Sequence, residues 1–409
     1  MSKRSISTGT VTAALYTCVF SSPASLGAIP EGLDAKSHHL KNGTGFTNPW
    51  ESWKNMSAPQ IMKAMAWEVL SGNSKSPDTT PPTVPIQKPT FIESRTGSNS
   101  LRATWLGHAC YYVEFPNGLR VLFDPVFEDR CSPFSFLGPK RYTPAPAKVA
   151  DIPTIDVVII SHSHYDHLSH PTVMDIQKNH PNVLFAVPLG LQSWFKDCGI
   201  SNVVELDWWQ DIDLTLSPST GEKRISVSSE PSTAEPALDS NITARISCLP
   251  CQHTSARTAF DKGVTLWASW AVNAGGKSVW FGGDTGYRAV PKLAKDVDDY
   301  GPDLAHLPYC PAFKQIGELR GPFDLGLIPI GAYDPRHIMS PMHANPFDSV
   351  EIFKDTKCKR AMGIHWGTWV LTWEDVMEPA ALLKKALAKS DIAETGVFDV
   401  CDIGESREF

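Results

Sequence analysis

Residues 157–168 read Val157-Val158-Ile159-Ile160-Ser161-His162-Ser163-His164-Tyr165-Asp166-His167-Leu168. Four β-branched apolar residues in a row describe a short buried strand, and the chain leaves it directly into three imidazoles and a carboxylate. At such an exit, alternate residues such as His162 and His164 point to the same side. Imidazole and carboxylate are donors suited to zinc and other first-row divalent ions. A helix is expected to begin near Pro171, which places the cluster on a strand-to-helix loop.

One cluster cannot fill two metal sites, and three downstream residues complete a set. His253 follows the strand-like segment 245–249, Asp284 lies in Gly282-Gly283-Asp284-Thr285-Gly286 after the strand 279–281, and His365 ends the strand 361–364. Each sits just past a strand's carboxyl end, where α/β folds commonly build sites. Other buried strands are expected at 183–187 and 325–330. Antiparallel strands are expected at 103–106, 111–115 and 119–123, with Asn117-Gly118 as a hairpin turn. Strands and helices in this order predict layered α/β sheets.

The rest of the 409-residue chain sets bounds on function. With 42% hydrophobic residues it can bury a substantial core, and its formal charge of −7 offers no general attraction for nucleic acid. Nine scattered cysteines fit reduced thiols and an intracellular site better than a disulfide framework. Cys248 and Cys251 form a C-x-x-C pair, but no second pair stands at a spacing that would complete a structural zinc site. Residues 1–30 carry Lys3 and Arg4, an apolar run from Val11 to Phe20 and no acid, a targeting composition or a disordered tail. Mitochondrial and secretory addresses both fit, and the mitochondrial one is favoured. No 18-residue apolar stretch follows, so any membrane contact is expected to be peripheral.

Residues 31–99 form a separate region before the main domain at 100–409. It holds a helix begun by a capping box, Ser57 with Gln60, whose face carries Ile61, Met62, Met65, Ala66, Val69 and Leu70. Such a stripe is expected to dock on the main domain, with a lipid surface as the alternative. Residues 73–99 read as a linker, and 217–241 as a mobile surface insertion.

The cluster also stands among longer strings: TWLGHA at 104–109, DPVF at 124–127, GPKR at 138–141, PLGL at 188–191 and ELDWW at 205–209. GDTGY at 283–287, CPAF at 310–313, GPFDLGLIPIGAY at 321–333 and IHWGT at 364–368 continue them. From about 103 to about 379 the sequence resembles the metallo-β-lactamase superfamily, and within it the phospholipases D that hydrolyse N-acylphosphatidylethanolamine. The resemblance implies an αβ/βα sandwich of two mixed β-sheets flanked by helices. It implies two zinc ions, the first held by His162, His164 and His253, the second by Asp166, His167 and His365, with Asp284 bridging. Tyr165 and His343 would stand near the lipid headgroup, and Asp284 and His343 are the catalytic candidates.

The implied reaction is attack on phosphorus by hydroxide made at the metals, releasing phosphatidic acid and an N-acylethanolamine at a membrane surface. A homodimer with a lipid-facing cavity is also implied. Another hydrolase of the same fold, a phosphodiesterase or thioesterase, is the alternative. A scaffold without catalysis is disfavoured because all seven ligands are retained. The chain departs from the family pattern at Ser169, where an acid is usual, at Thr254-Ser255-Ala256-Arg257, and in insertions at about 210–245 and 288–308.

Overall fold

Val121 and Phe123 face one core while Leu122 faces another, and Val157 and Ile159 part from Val158 and Ile160 in the same way. Strands buried on both faces need layers on both sides, and the architecture follows from that. The computed structural model describes residues 16–95, 99–218, 225–231, 241–294 and 297–409. The strands are β1 (Tyr16–Ser22), β2 (Arg102–Trp105), β3 (Tyr111–Glu114), β4 (Arg120–Phe123), β5 (Val157–Ile159), β6 (Leu184–Pro188), β7 (Val203–Leu206) and β8 (Asp211–Pro218). They continue as β9 (Ile225–Pro231), β10 (Ile242–Leu249), β11 (Ser269–Ala274), β12 (Lys277–Phe281), β13 (Phe323–Pro329), β14 (Cys358–Ile364), β15 (Phe398–Asp399) and β16 (Ser406–Glu408).

One sheet has seven strands in the order β16-β2-β3-β4-β5-β6-β7, the other nine in the order β15-β14-β13-β12-β11-β10-β8-β1-β9. Both are mixed. β2, β3 and β4 form an antiparallel meander and β4 to β7 run parallel; β10 to β12 are antiparallel and β12 to β15 parallel. The sheets meet over a shared core in which Phe123 and Phe281 approach to 4.8 Å between ring centroids. Helix α1 (Ala58–Leu70) precedes the first sheet, and α2 (His170–Asn179) covers that sheet's outer face with Val173 and Ile176. The helices Pro346–Asp355 and Glu378–Lys389 flank the second sheet. The Asn117-Gly118 hairpin forms as expected, Gly118 taking φ +95° in the turn and donating its N–H to Phe115 O.

Three segments differ from their sequence reading. The apolar run near the N-terminus enters the sheet as β1, pairing Cys18 with Leu216 and Phe20 with Leu214, because its alternate side chains reach the core. Residues 1–15 lie outside the described residues. The insertion at 217–241 contributes β9, parallel to β1, while 219–224 and 232–240 lie outside the described residues.

The third is α1. Its start is as expected, with Ser57 N–H donating to Gln60 Oε1 at 2.7 Å. Its apolar face does not dock: Met62 is 72%, Trp67 64%, Val69 55% and Leu70 83% exposed. The buried side chain is Glu68, which accepts from Asn73 Nδ2 and pairs with Lys292. Helical periodicity defines two faces, but neighbouring segments decide which one packs.

Candidate metal centre

Six strand ends from both sheets deliver the site. β2 ends before His108, β4 before Asp124 and β5 before the 162–167 cluster; β10, β12 and β14 lead into His253, Asp284 and His365. Three of these residues turn through left-handed backbone as the strand stops: Asp124 at φ 39°, His108 at 51° and His365 at 62°. Such conformations cost about 1–3 kcal/mol each and are kept where the surroundings hold them. Gly283, at φ 57°, admits the close approach of the two sheets, since a Cβ there would lie 2.6 Å from Ser161 Cβ.

All seven side chains expected to hold metal converge, in two groups. His162, His164, His253 and Asp284 form one: His162 Nε2 is 2.8 Å and His253 Nε2 3.3 Å from His164 Nδ1. Asp166, His167 and His365 form the other together with His108, with Asp166 Oδ2 3.4 Å from both His167 Nε2 and His365 Nε2. Asp284 stands between them. Its Oδ1 is 3.2 Å from His167 Nε2, and its Oδ2 is 3.0 Å from His365 Nε2, 3.6 Å from His253 Nε2 and 3.8 Å from His162 Nε2.

Among the described residues, His167 Nε2, Asp284 Oδ1 and His365 Nε2 are buried without a hydrogen-bond partner. Orphaned buried donors and acceptors are costly, and here they face one point. Divalent cations would satisfy them, so the residues fit the two-ion centre.

The outer contacts explain the aim of each imidazole. Asp124, fully buried, accepts from Ser161 N–H at 2.7 Å and Ser161 Oγ at 2.5 Å, and lies 2.6 Å from His167 Nδ1. A proton held there turns His167 Nε2 inward, where a metal ion would displace its second proton and take the lone pair. His253 Nδ1 lies 2.9 Å from Met342 O, with the same effect, and His108 Nε2 lies 3.1 Å from Asp166 Oδ2. His108 and Asp124 are residues the sequence analysis did not single out. Both obey the rule that picked His253, Asp284 and His365, a polar residue directly past an apolar strand.

The N-terminal region, read as separate, also reaches the centre: Asn48 Nδ2 donates to His253 O at 2.7 Å and Ser52 Oγ to Gln252 Oε1 at 2.5 Å. Ser169 does not touch the candidate ligands. It caps α2 and donates to Glu128, a carboxylate placed there from another segment.

His343 and Tyr165 border the cleft. His343 Nδ1 is buried, unpartnered and 3.9 Å from Asp284 Oδ2, so this is not a surface histidine. Tyr165 packs by Cys131 and Trp369, with the Arg257 guanidinium 4.0 Å over its ring. Arg257 also donates to Ser163 O and Leu168 O, fastening the cluster loop. Cys248 and Cys251 belong to the apolar core, and no metal-capable group among the described residues includes them.

Burial opposes charge throughout the cleft, and local partners decide the outcome. It pushes His162 and His253 well below their usual pKa, and His343 down to about 4. For His365 burial is outweighed by Asp284 and Asp166, which lift it to about 9; Asp284, Asp166 and Asp124 lift His167 well above the usual range. In metal-free protein these two histidines therefore hold protons at neutral pH. Their stabilising effect is full below the unfolded histidine pKa and is lost as pH rises, for His365 through about 9. Zinc binding to the metal-free chain at pH 7 should release on the order of two protons. Calorimetric titration in two buffers of different ionisation enthalpy measures this; equal heats would contradict the protonated state.

Comparison with known proteins places the chain in a family. The family model described as a beta-lactamase superfamily domain matches residues 119–366, and the chain belongs to that superfamily. It is 36% identical over 384 residues to N-acyl-phosphatidylethanolamine-hydrolyzing phospholipase D 1 of Caenorhabditis elegans, covering 90% of this chain and 94% of that protein. The chain belongs to this family of N-acylphosphatidylethanolamine-hydrolysing phospholipases D, and its two sheets form a metallo-β-lactamase fold. A Saccharomyces cerevisiae relative with the same enzyme name, there qualified as mitochondrial, is 32% identical over 78% of this chain and 59% of its own length. Among solved structures, a metallo hydrolase from Ignicoccus hospitalis aligns over 76% of this chain and 98% of its own, at 17% identity and a TM-score of 0.45.

Proposed function

We propose that this metal-dependent hydrolase is a two-zinc phospholipase D that cleaves N-acylphosphatidylethanolamine to phosphatidic acid and an N-acylethanolamine. The observation that carries the reading is Asp284 standing between two groups of imidazole and carboxylate donors in a chain 36% identical to a relative of that name. His162, His164 and His253 would hold one ion, and Asp166, His167 and His365 the other, with Asp284 shared. Bound zinc supplies Lewis acidity, lowering the pKa of water and stabilising negative charge on phosphoryl oxygens.

The chain's own groups prepare this chemistry. Asp124, Met342 O and His108 orient His167, His253 and Asp166 before any ion arrives, so little reorganisation is left for binding. His343 is neutral at pH 7, because burial depresses its pKa, and its Nδ1 is free to accept a proton or a headgroup hydrogen bond beside Asp284. Arg257 holds Tyr165 against the cleft wall and places a cation where an anionic headgroup would approach.

The substrate lies in a bilayer, and we assign the exposed face of α1 to that surface. Among the described residues no helix is long and apolar enough to cross a membrane. Met62, Trp67 and Leu70 offer an apolar face, and Phe260, 96% exposed on the loop after His253, lies in a segment tied to the α1 entry by Lys262 Nζ and Met56 O. Trp67→Ser with Leu70→Ser should weaken sedimentation with phospholipid vesicles by about 100-fold or more, since each side chain loses apolar contact of the order of 1.5–3 kcal/mol. Unchanged partitioning would remove α1 from the contact.

The basic, acid-free N-terminus and the yeast relative's name support a mitochondrial address. The functional reading is tested with zinc-loaded protein on vesicles containing N-acylphosphatidylethanolamine. Release of N-acylethanolamine and phosphatidic acid supports it; hydrolysis of a nucleic acid or an acyl thioester without lipid turnover would replace it by another hydrolase of this fold.

A further inference from the structure

Outside the cleft, a separate set of metal-class side chains meets at one point: His38, His39 and Asp207. His38 Nε2 is 2.7 Å from Asp207 Oδ1, and His39 Nε2 is 2.7 Å from Asp207 Oδ2. In an extended chain neighbouring side chains point apart. Here the turn closed by Ser37 N–H to Asp34 O and His39 N–H to Lys36 O brings both imidazoles onto one carboxylate.

The surroundings hold this arrangement. His38 is buried and stacked on Trp208 at 4.2 Å between ring centroids, and Trp208 is stacked on Trp50 at 5.4 Å. Asp207 lies directly past β7, and its Oδ1 accepts from Trp208 N–H at 2.8 Å. That is the same strand-end placement that supplies the catalytic cleft.

We propose that His38, His39 and Asp207 bind a third divalent cation of the zinc class, distinct from the pair in the cleft. Two imidazoles and one carboxylate are a common zinc donor set, with water able to complete four ligands. The two N···O separations, 2.7 Å each, are slightly shorter than the 2.8 Å to 3.8 Å between neighbouring candidate donors in the cleft, so the side chains need part only by tenths of an ångström to admit an ion. The side chains of His39 and Asp207 are 26% and 17% exposed, which leaves a route for the ion and its water. A metal-binding imidazole presents its Nε2 lone pair to the ion and keeps its ring proton on Nδ1.

The ion clamps the segment that supplies Asn48 and Ser52 to the His253 turn. A bound cation would thus fasten the N-terminal region to the hydrolase domain, whatever substrate the cleft takes.

The test is zinc content of the full chain equilibrated in zinc-buffered solution, for native protein, Asp207→Asn and His38→Ala with His39→Ala. Each variant is expected to hold one zinc fewer than native. Asp207→Asn keeps the shape and one acceptor oxygen, so it decides the matter if the double variant fails to fold. Cobalt loading gives a second readout: the native-minus-Asp207→Asn difference spectrum should show ligand-field bands of a nitrogen and oxygen site. Equal zinc content in native and Asp207→Asn, with superimposable cobalt spectra, would overturn the proposal and leave a hydrogen-bonded clasp.

Discussion

Asp284→Asn should hold less zinc than the native chain and hydrolyse N-acylphosphatidylethanolamine in vesicles about 10³-fold more slowly or worse. The carboxylate has 1% of its surface exposed and reaches both donor groups, so bulk solvent cannot take its place. An amide of the same shape removes the negative charge that two dications would share. It also turns an NH₂ towards histidine nitrogens, where a repulsive donor replaces an acceptor. Zinc per chain and product formation are measured together. Loss of both supports a bridging role, native zinc with lost turnover would assign Asp284 to substrate, and survival of both would sink the two-ion reading.

The fold and the inner site were legible in the sequence to different depths, for physical reasons. Short apolar runs ending in His162, Asp284 and His365 are local signals, because a strand's end and its side-chain direction follow from a few residues. The same logic reached the hairpin at Gly118 and the capping box at Ser57. It did not reach contacts made across the chain. Asn48 meets His253 from 205 positions away and His38 meets Asp207 from 169, and no periodicity encodes either.

Two apolar segments were ambiguous for another reason. The run ending at Phe20 has the composition of a targeting peptide and also the alternation of a strand, and the free edge of β8 decides for the strand from Tyr16 onward. The stripe on α1 has the spacing of a core helix. Glu68, paired with Lys292, takes the inward place and leaves Trp67 and Leu70 outside. Pairing one charge with a distant partner changed which face is covered, and that partner lies 224 positions on.

Asp124 carries the second large expected effect, and two substitutions separate its roles. Asp124→Ala leaves Ser161 N–H and the His167 Nδ1 proton without a buried partner, a loss of about 3–5 kcal/mol for breaking one side of such a pair. It should lower the melting temperature and weaken zinc affinity by about 10–100-fold. Asp124→Asn behaves differently, because the Ser161 N–H fixes its amide: the oxygen must stay at the Oδ1 position, which accepts that bond at 2.7 Å. The NH₂ then faces Ser161 Oγ and His167 Nδ1, where Asp124 Oδ2 stood. A donor at that place demands a lone pair on Nδ1, which moves the His167 proton to Nε2 and points it at the centre. The Asn variant should therefore keep most of its melting temperature yet lose zinc affinity as severely as the Ala variant, measured by competition with a chelator of known affinity. If Asn binds zinc as tightly as native, orientation of His167 does not depend on Asp124; if both properties fall together in Asn as in Ala, the carboxylate acts through folding alone.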